Sequence, residues 1–274
     1  MDEQRTDNDY VPKLWASEDA RMLIMDDRGR MPISRSAPTI QLAPVQGEYD
    51  SERHFLLGYV DDAPRFVTVA ELPTSARTAD LREIGPELLD HDRDLAMAAN
   101  ALINWHRAEP YCSRCGTATV VRKAGYMRLC PQCGKEIFPR TDPAVIVAIV
   151  DDDDRLLLGR QATWGERVSV FAGFVEAGES LEQAVHREMT EEVGVRLRSV
   201  EYFGSQPWPF PRSLMIGFVA RADSTNVTIG DEIAYADWFT RDRLDQQEAD
   251  GTIALPTPMS IGNRLVTAWR AGQI

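Results

Sequence analysis

GFVEAGESLEQAVHREMTEEVGV, residues 173 to 195, decides the reading of this chain. Ser180 followed by Gln183 forms a capping box, in which each residue satisfies a backbone donor that the first helical turn leaves unpaired. Gly194 suits the left-handed stop of a helix, so the string predicts a helix over about 181 to 193. Glu188, Glu191 and Glu192 are three and four residues apart, which puts their carboxylates on one face. Three like charges clustered this way repel unless cations sit among them. Oxygen-rich sites suit Mg²⁺ or Mn²⁺, hard cations that take carboxylate ligands and can activate a water. An isolated E-x2-EE would read better as a solvated acidic helix face, so the weight falls on what surrounds it.

Upstream stands YCSRCGTATVVRKAGYMRLCPQCGK, with Cys112, Cys115, Cys130 and Cys133 in two Cys-x2-Cys pairs across a 14-residue spacer. Each pair can direct two thiolates at one tetrahedral Zn²⁺, and the spacer is long enough for a small hairpin. Gly116 and Gly134 follow the pairs, where a tight turn favours glycine. With four positions filled, such a zinc is structural and leaves no site for water. The spacing favours metal over a redox dithiol. The ribbon's cations are only Arg114, Arg122, Lys123, Arg128 and Lys135, so it reads as architecture and not as a nucleic-acid reader.

A chain of 274 residues holds more than one core. Its formal charge of −13 argues against a broad phosphate-binding surface. The opening MDEQRTDNDY lacks the basic start and apolar run of a secretory signal, and no run has the length to cross a bilayer. Paired cysteines in such a chain fit a reducing cytoplasm and no membrane partner. HFLLGYV (54 to 60) and RFVTVAEL (65 to 72) read as strands separated by the turn DDAP. Leu88, Leu95, Ala98, Ala99, Leu102, Ile103 and Trp105 recur at helical spacing, predicting a long amphipathic helix that ends near Pro110. AVIVAIV, the acidic run 151 to 154 and RLLLGR read as strand, solvated turn and strand. SLMIGFVARA and EIAYADWFT read as strands, and PMSIGNRLVTAWRAG as a helical tail.

Ten residues past Val195, the end of the opening string, comes SQPWPFPRS, 205 to 213. Its prolines stiffen the segment, Trp208 and Phe210 offer flat apolar faces, and Gln206, Arg212 and Ser213 carry hydrogen-bonding groups. Taken alone, it reads as a packed proline-rich loop.

Together these features carry a resemblance. The first string fits G-x5-E-x7-R-E-U-x-E-E-x-G-U throughout, with Gly173, Glu179, Arg187, Glu188, Met189, Glu191, Glu192, Gly194 and Val195 in the fixed places, and so resembles the Nudix hydrolase superfamily. Followed by SQPWPFPRS and preceded by a four-cysteine ribbon, it makes the chain from about residue 82 onward similar to the NADH pyrophosphatase family. The resemblance implies an α/β (α+β) architecture with a Nudix α/β/α sandwich and mixed sheet (139 to 274) behind a zinc ribbon (109 to 138), while the strands and helix upstream read as a mixed α/β N-terminal domain (1 to 108). It implies cleavage of NADH or NAD⁺ to nicotinamide mononucleotide and AMP, and removal of an NAD cap from RNA. Mg²⁺ or Mn²⁺ would sit on Glu188, Glu191 and Glu192, the carbonyl of Ala172 and Glu232, with Glu191 either a ligand or the general base. Glu179 and Arg187 would organise loop and helix through a salt bridge. The substrate would meet Gln206, Pro207, Trp208, Pro209, Phe210, Pro211, Arg212 and Ser213, with Phe174 stacking on a ring. Phe138 stands where the family often has tyrosine, Gly262 ends the family's S-I-A, and Arg82 matches a substrate-contacting arginine. Gly125 occupies a position that is acidic and substrate-contacting in some members. A homodimer whose site borrows Phe138 from the partner is also implied. Two other readings compete. A Nudix hydrolase of ADP-ribose or dinucleoside polyphosphates is opposed by SQPWPFPRS, and a non-catalytic nucleotide sensor or RNA-binding module is opposed by the intact glutamate set.

Overall fold

A computed structural model describes residues 10 to 274; the rest of the acidic opening MDEQRTDNDY, residues 1 to 9, lies outside the described residues. Two compact units are present, one comprising Met1–Arg140 with Pro209–Arg212 and the other Thr141–Trp208 with Ser213–Ile274. Among the described residues, no helix is long and apolar enough to cross a membrane.

In the first unit the elements run α1 (Tyr10–Trp15), β1 (Arg21–Met25), β2 (Arg30–Pro32), β3 (Ala43–Pro44), β4 (Phe55–Val60), β5 (Ala63–Val69), β6 (Thr78–Asp80), α2 (Leu81–Ile84), α3 (Asp90–Ala108), β7 (Val120–Arg122), β8 (Met127–Leu129) and β9 (Glu136–Ile137). The main sheet is ordered β3-β1-β5-β4, β2 pairs with β6, and β7-β8-β9 form the ribbon. The turn between β4 and β5 is shorter than DDAP suggests. Asp61 and Asp62 take φ of 51° and 61°, the paired positive values of a two-residue hairpin, and the strand resumes at Ala63. Pro64 is tolerated there because β5 begins its pairing with β1 one residue later, at Arg65, so the missing N–H costs no bond on that edge. Trp15, Leu56 and Phe66 are buried together, with Trp15 stacked on His54 at 4.1 Å. Helix α3 buries Leu95, Ala96, Ala99, Leu102, Ile103 and Trp105, close to the expected stripe. Leu88 precedes the helix and Ala98 is half-buried. The helix ends two residues before Pro110, where proline disfavours helical geometry in its predecessor.

The second unit contains β10 (Asp142–Val150), β11 (Leu156–Arg160), β12 (Phe171–Phe174), α4 (Leu181–Val193), β13 (Leu197–Trp208), β14 (Ser213–Ala222), β15 (Tyr235–Phe239), α5 (Arg241–Ala249) and α6 (Ile261–Arg270). Its mixed sheet is ordered β13-β14-β10-β11-β15, with β12 also on β10. Strand β10 runs parallel to β14 along its whole length; its other edge is shared, Ala144–Val147 pairing with β12 and Ile149–Val150 with β11. Alternation along β10 feeds two cores. Val145, Val147 and Ile149 pack with Ala184, Val185, Met189 and Val193 of α4 on one face. Ile146, Ala148 and Val150 pack with Ile261, Leu265, Val266 and Trp269 of α6 on the other. Each such side chain contributes roughly 1.5–3 kcal/mol on burial, so the sandwich expected from the sequence is held by both layers. The acidic run is a turn whose first member is not solvated: Asp151 is buried and accepts from the backbone N–H groups of Asp153 (3.1 Å) and Arg155 (2.8 Å) and from Arg155 Nε (2.7 Å).

Candidate active site

Helix α4 begins and ends where its sequence dictates. Ser180 Oγ accepts from Gln183 N at 3.2 Å while Gln183 Oε1 accepts from Ser180 N at 2.8 Å, and Gly194 closes the helix at φ 67°. Arg187 then organises the acidic face. Its Nε and Nη2 grip Glu179 at 2.6 and 2.9 Å, Nη1 donates to Glu188 (2.8 Å) and Glu191 (2.9 Å), and Nη2 also donates to the carbonyl of Phe174 (2.9 Å). All five guanidinium N–H groups thus have acceptors, a fork that lysine could not reproduce. The Arg187 hydrogen bonds hold the Glu179 carboxyl well down, at about 2, and the carboxylates push the guanidinium up. The loop before the helix is tied in as well, since Glu179 Oε2 accepts from Glu176 N at 2.9 Å.

Glu192 faces a different environment. It is buried, and its Oε2 has no hydrogen-bond partner among the described residues. Burial pushes its carboxyl up to about 8, repulsion from Glu188 and Glu232 adds to this, and a hydrogen bond from the Ala172 backbone opposes it. Glu232 comes within range because Thr228 N and Gly230 N donate to the carbonyls of Val193 and Glu192, zipping that segment along the end of α4. At Gly173 a Cβ would fall 1.9 Å from the Glu188 carboxyl carbon, so only glycine lets that carboxylate lie against β12. An orphaned buried oxygen among mutually repelling carboxylates is a donor set that fits a hard divalent cation. The structure therefore brings Ala172 and Gly173 against Glu192 and Glu188, with Glu232 and Glu191 near enough for their charges to raise the Glu192 carboxyl further. Exposure separates the ligand candidates: the side chain of Glu188 is 14% exposed and that of Glu191 60%.

The remaining expected residues fall at several places. SQPWPFPRS is less of a loop than its prolines suggest: Ser205 to Trp208 end β13, Ser213 begins β14, and only Pro209–Arg212 turn between them. Pro207 pairs with Leu214 on a strand at the sheet edge, where its missing donor leaves no ladder bond unmade. Gln206 engages both ends of its amide, donating to Met259 O (2.5 Å) and accepting from Ile261 N (2.7 Å), which fixes the start of α6 beside Gly262. Phe174 is exposed on β12. In the first unit, Arg82 stands over the Phe210 ring at 4.4 Å, Arg212 Nη1 lies 3.7 Å from Glu109 Oε1, and Phe138 is half exposed with Lys123 Nζ 5.7 Å above its ring. Two residues escaped the sequence reading: Asn100 and Asn104 of α3, which donate to the carbonyls of the Pro209–Arg212 turn. Their one signal is a pair of amides four apart on an Ala- and Leu-rich helix.

In the ribbon, all four Sγ atoms lie within 4.8 Å of one another, with Cys112–Cys133 and Cys115–Cys133 at 3.7 Å and Cys115–Cys130 at 3.4 Å. Thiolates about 2.3 Å from one tetrahedral Zn²⁺ stand about 3.8 Å apart. The cysteines fit a structural zinc. Gly116 and Gly134 take φ of 73° and 70°, letting each knuckle turn back so that their N–H groups donate to Cys112 O and Cys130 O.

A mixed sheet between helices, with an arginine-pinned carboxylate helix against a glycine-bearing strand, defines the class, and residues 140–257 match the family model described as NUDIX domain. Residues 107–138 match the one described as NADH pyrophosphatase zinc ribbon domain. The NAD-capped RNA hydrolase NudC of Mycobacterium bovis (strain BCG / Pasteur 1173P2) is 38% identical over 288 residues, covering 98% of this chain and 91% of that protein. The NAD-capped RNA hydrolase NudC of Deinococcus radiodurans is 36% identical over 231 residues, covering 82% and 78%. A crystal structure of a NUDIX hydrolase from Nitrosomonas europaea superposes with a TM-score of 0.45 at 19% identity, covering 60% of this chain and 91% of that one. The chain belongs to the NADH pyrophosphatase family of the Nudix hydrolases.

Proposed function

We propose that the protein hydrolyses the pyrophosphate bond of NADH and NAD⁺ to nicotinamide mononucleotide and AMP, and removes the same dinucleotide cap from RNA. The hydrolytic part of this is carried by the buried oxygen of Glu192, without a hydrogen-bond partner among the described residues, near Glu188 and Gly173, and the dinucleotide part is supported by the near-full-length likeness to proteins named NAD-capped RNA hydrolase. In this reading Glu188 and Glu192 hold Mg²⁺ or Mn²⁺, with Glu191, Glu232 and the Ala172 carbonyl completing the set. When bound, such a cation neutralises phosphate oxygens and acidifies a water for in-line attack. Glu191, the most exposed of the three helix carboxylates, serves as a further ligand or takes the water's proton. Arg187 and Glu179 hold the helix face in register. Trp208, Phe210 and Phe174 offer stacking surfaces, Arg82, Arg212 and Ser213 supply hydrogen bonds, and Pro207, Pro209 and Pro211 stiffen their peptide; Gln206 acts by fixing the backbone at Gly262. The working division is 1–108, 109–138 and 139–274, in a cytoplasmic homodimer whose site receives Phe138 of the partner subunit.

Hydrolysis of NADH, NAD⁺, ADP-ribose, diadenosine polyphosphates and NAD-capped RNA, each with Mg²⁺ and with Mn²⁺, tests the reading. NADH and NAD-capped RNA should be cut in preference. Rapid cleavage of ADP-ribose with NADH left intact would sink the substrate assignment while sparing the pyrophosphatase one.

A further inference from the structure

Pro209 and Pro211 have no N–H to give, so the peptide that carries Phe210 can be anchored at these two residues only through their carbonyl oxygens. Both oxygens are met from helix α3. Asn100 Nδ2 donates to Pro209 O at 2.7 Å, and Asn104 Nδ2 donates to the same oxygen at 3.1 Å and to Pro211 O at 3.3 Å. The amides are four residues apart, hence on one helix face. Their orientation is not arbitrary, because a proline carbonyl can only accept and so selects the NH₂ end of each. Asn100 is buried on a face otherwise made of Ala96, Ala99 and Ile103, a placement that costs stability unless its polar ends are matched. Between the two anchored carbonyls lies Phe210, with the Arg82 guanidinium 4.4 Å above its ring, and beyond them Arg212, facing Glu109 at 3.7 Å.

We propose that Asn100 and Asn104 are positioning residues for the substrate: by holding the carbonyls of Pro209 and Pro211 they set the place of Phe210 and Arg212, and through them the discrimination of a nicotinamide dinucleotide from a pyrophosphate that lacks nicotinamide. This rests on the dinucleotide reading above. The amides touch no reacting atom, so their loss shows in how one substrate binds and not in bond cleavage at large.

The test replaces each amide by its isosteric acid, which turns the donor toward the proline into an acceptor. In Asn100→Asp and Asn104→Asp, the KM for NADH should rise about tenfold with kcat changed less than about threefold, while both constants for ADP-ribose stay within about twofold. The NADH to ADP-ribose selectivity therefore falls about tenfold. Because Asn100 is buried, the half-buried Asn104 carries the test if Asn100→Asp does not fold; circular dichroism and a melting curve establish that. Equal losses on both substrates, or unchanged selectivity in a folded Asn104→Asp protein, overturn the proposal. A wild-type enzyme that does not distinguish NADH from ADP-ribose would overturn the substrate reading first and this inference with it, so the two failures are told apart by the wild-type measurement.

Discussion

Lowering the pH from 8 to 5 should destabilise the first unit through one imidazole, His106. Its Nε2 lies 2.8 Å from Gly125 O and its Nδ1 2.9 Å from Arg128 Nη1. A guanidinium can only donate, so Nδ1 must accept, and the remaining ring proton sits on Nε2 facing the carbonyl. A second proton would place Nδ1–H against the guanidinium. Burial, with the Arg128 charge behind it, lowers the His106 pKa to about 4, against the hydrogen bond to Gly125 and against the helix C-terminus, whose dipole would favour the cation by up to about 2 kcal/mol. With an unfolded value of about 6.5, the unfolded chain binds more protons between pH 6.5 and 4, so this contribution is complete above pH 6.5 and is lost as pH falls through that window. Linkage gives a loss of about 2 kcal/mol by pH 5 and about 3 kcal/mol by pH 4. The assay is urea unfolding of zinc-loaded wild type and His106→Gln at intervals from pH 8 to 5. Carboxylates and cysteines titrate in both proteins and cancel in the difference. The stability difference should be flat above pH 7 and shrink by about 2 kcal/mol by pH 5. Parallel curves would refute the reasoning, because they would mean that the ring titrates alike in both states.

Three other outcomes follow from the site. Gly173→Ala places a methyl inside the Glu188 carboxyl, so kcat/KM for NADH should drop at least about 100-fold while the melting temperature falls only by the few degrees typical of local overpacking. Glu192→Gln replaces a buried, strongly raised carboxyl and removes a proposed ligand. Turnover should fall about 1000-fold or more, metal-free protein should melt no lower than wild type, and the rise in melting temperature that Mg²⁺ should give wild type in calorimetry should be absent from the variant. Removing a thiolate with Cys130→Ala should reduce the zinc content measured by elemental analysis from one ion per chain to none and destabilise the first unit by several kcal/mol.

Local signals were the legible ones. The capping box, the glycine stop and the E-x2-EE spacing each concern residues within one or two turns, and α4 forms over the predicted 181 to 193. The cysteine pairs were legible because two short knuckles suffice to define a tetrahedron. Proline-rich sequence misled in the opposite direction: SQPWPFPRS reads as a loop, yet an edge strand tolerates Pro207 and β13 runs on through Trp208. Asp151 reads as part of a solvated turn because charge pattern alone does not reveal that three nearby donors make its burial affordable. Asn100 and Asn104 were illegible for a plainer reason. Their acceptors are more than 100 residues away, and nothing in a helix of alanines and leucines announces which carbonyl will arrive.

Strand β10 bears on how this fold tolerates insertions and deletions. Because neighbouring residues on β10 belong to opposite cores, losing or gaining one residue within Ala144–Val150 would exchange the contents of both layers at once. The same change in the 151–154 turn would leave that alternation untouched. Length variation among viable variants should therefore concentrate in turns, with β10 held to a single length even where its individual side chains are exchanged for others of similar volume.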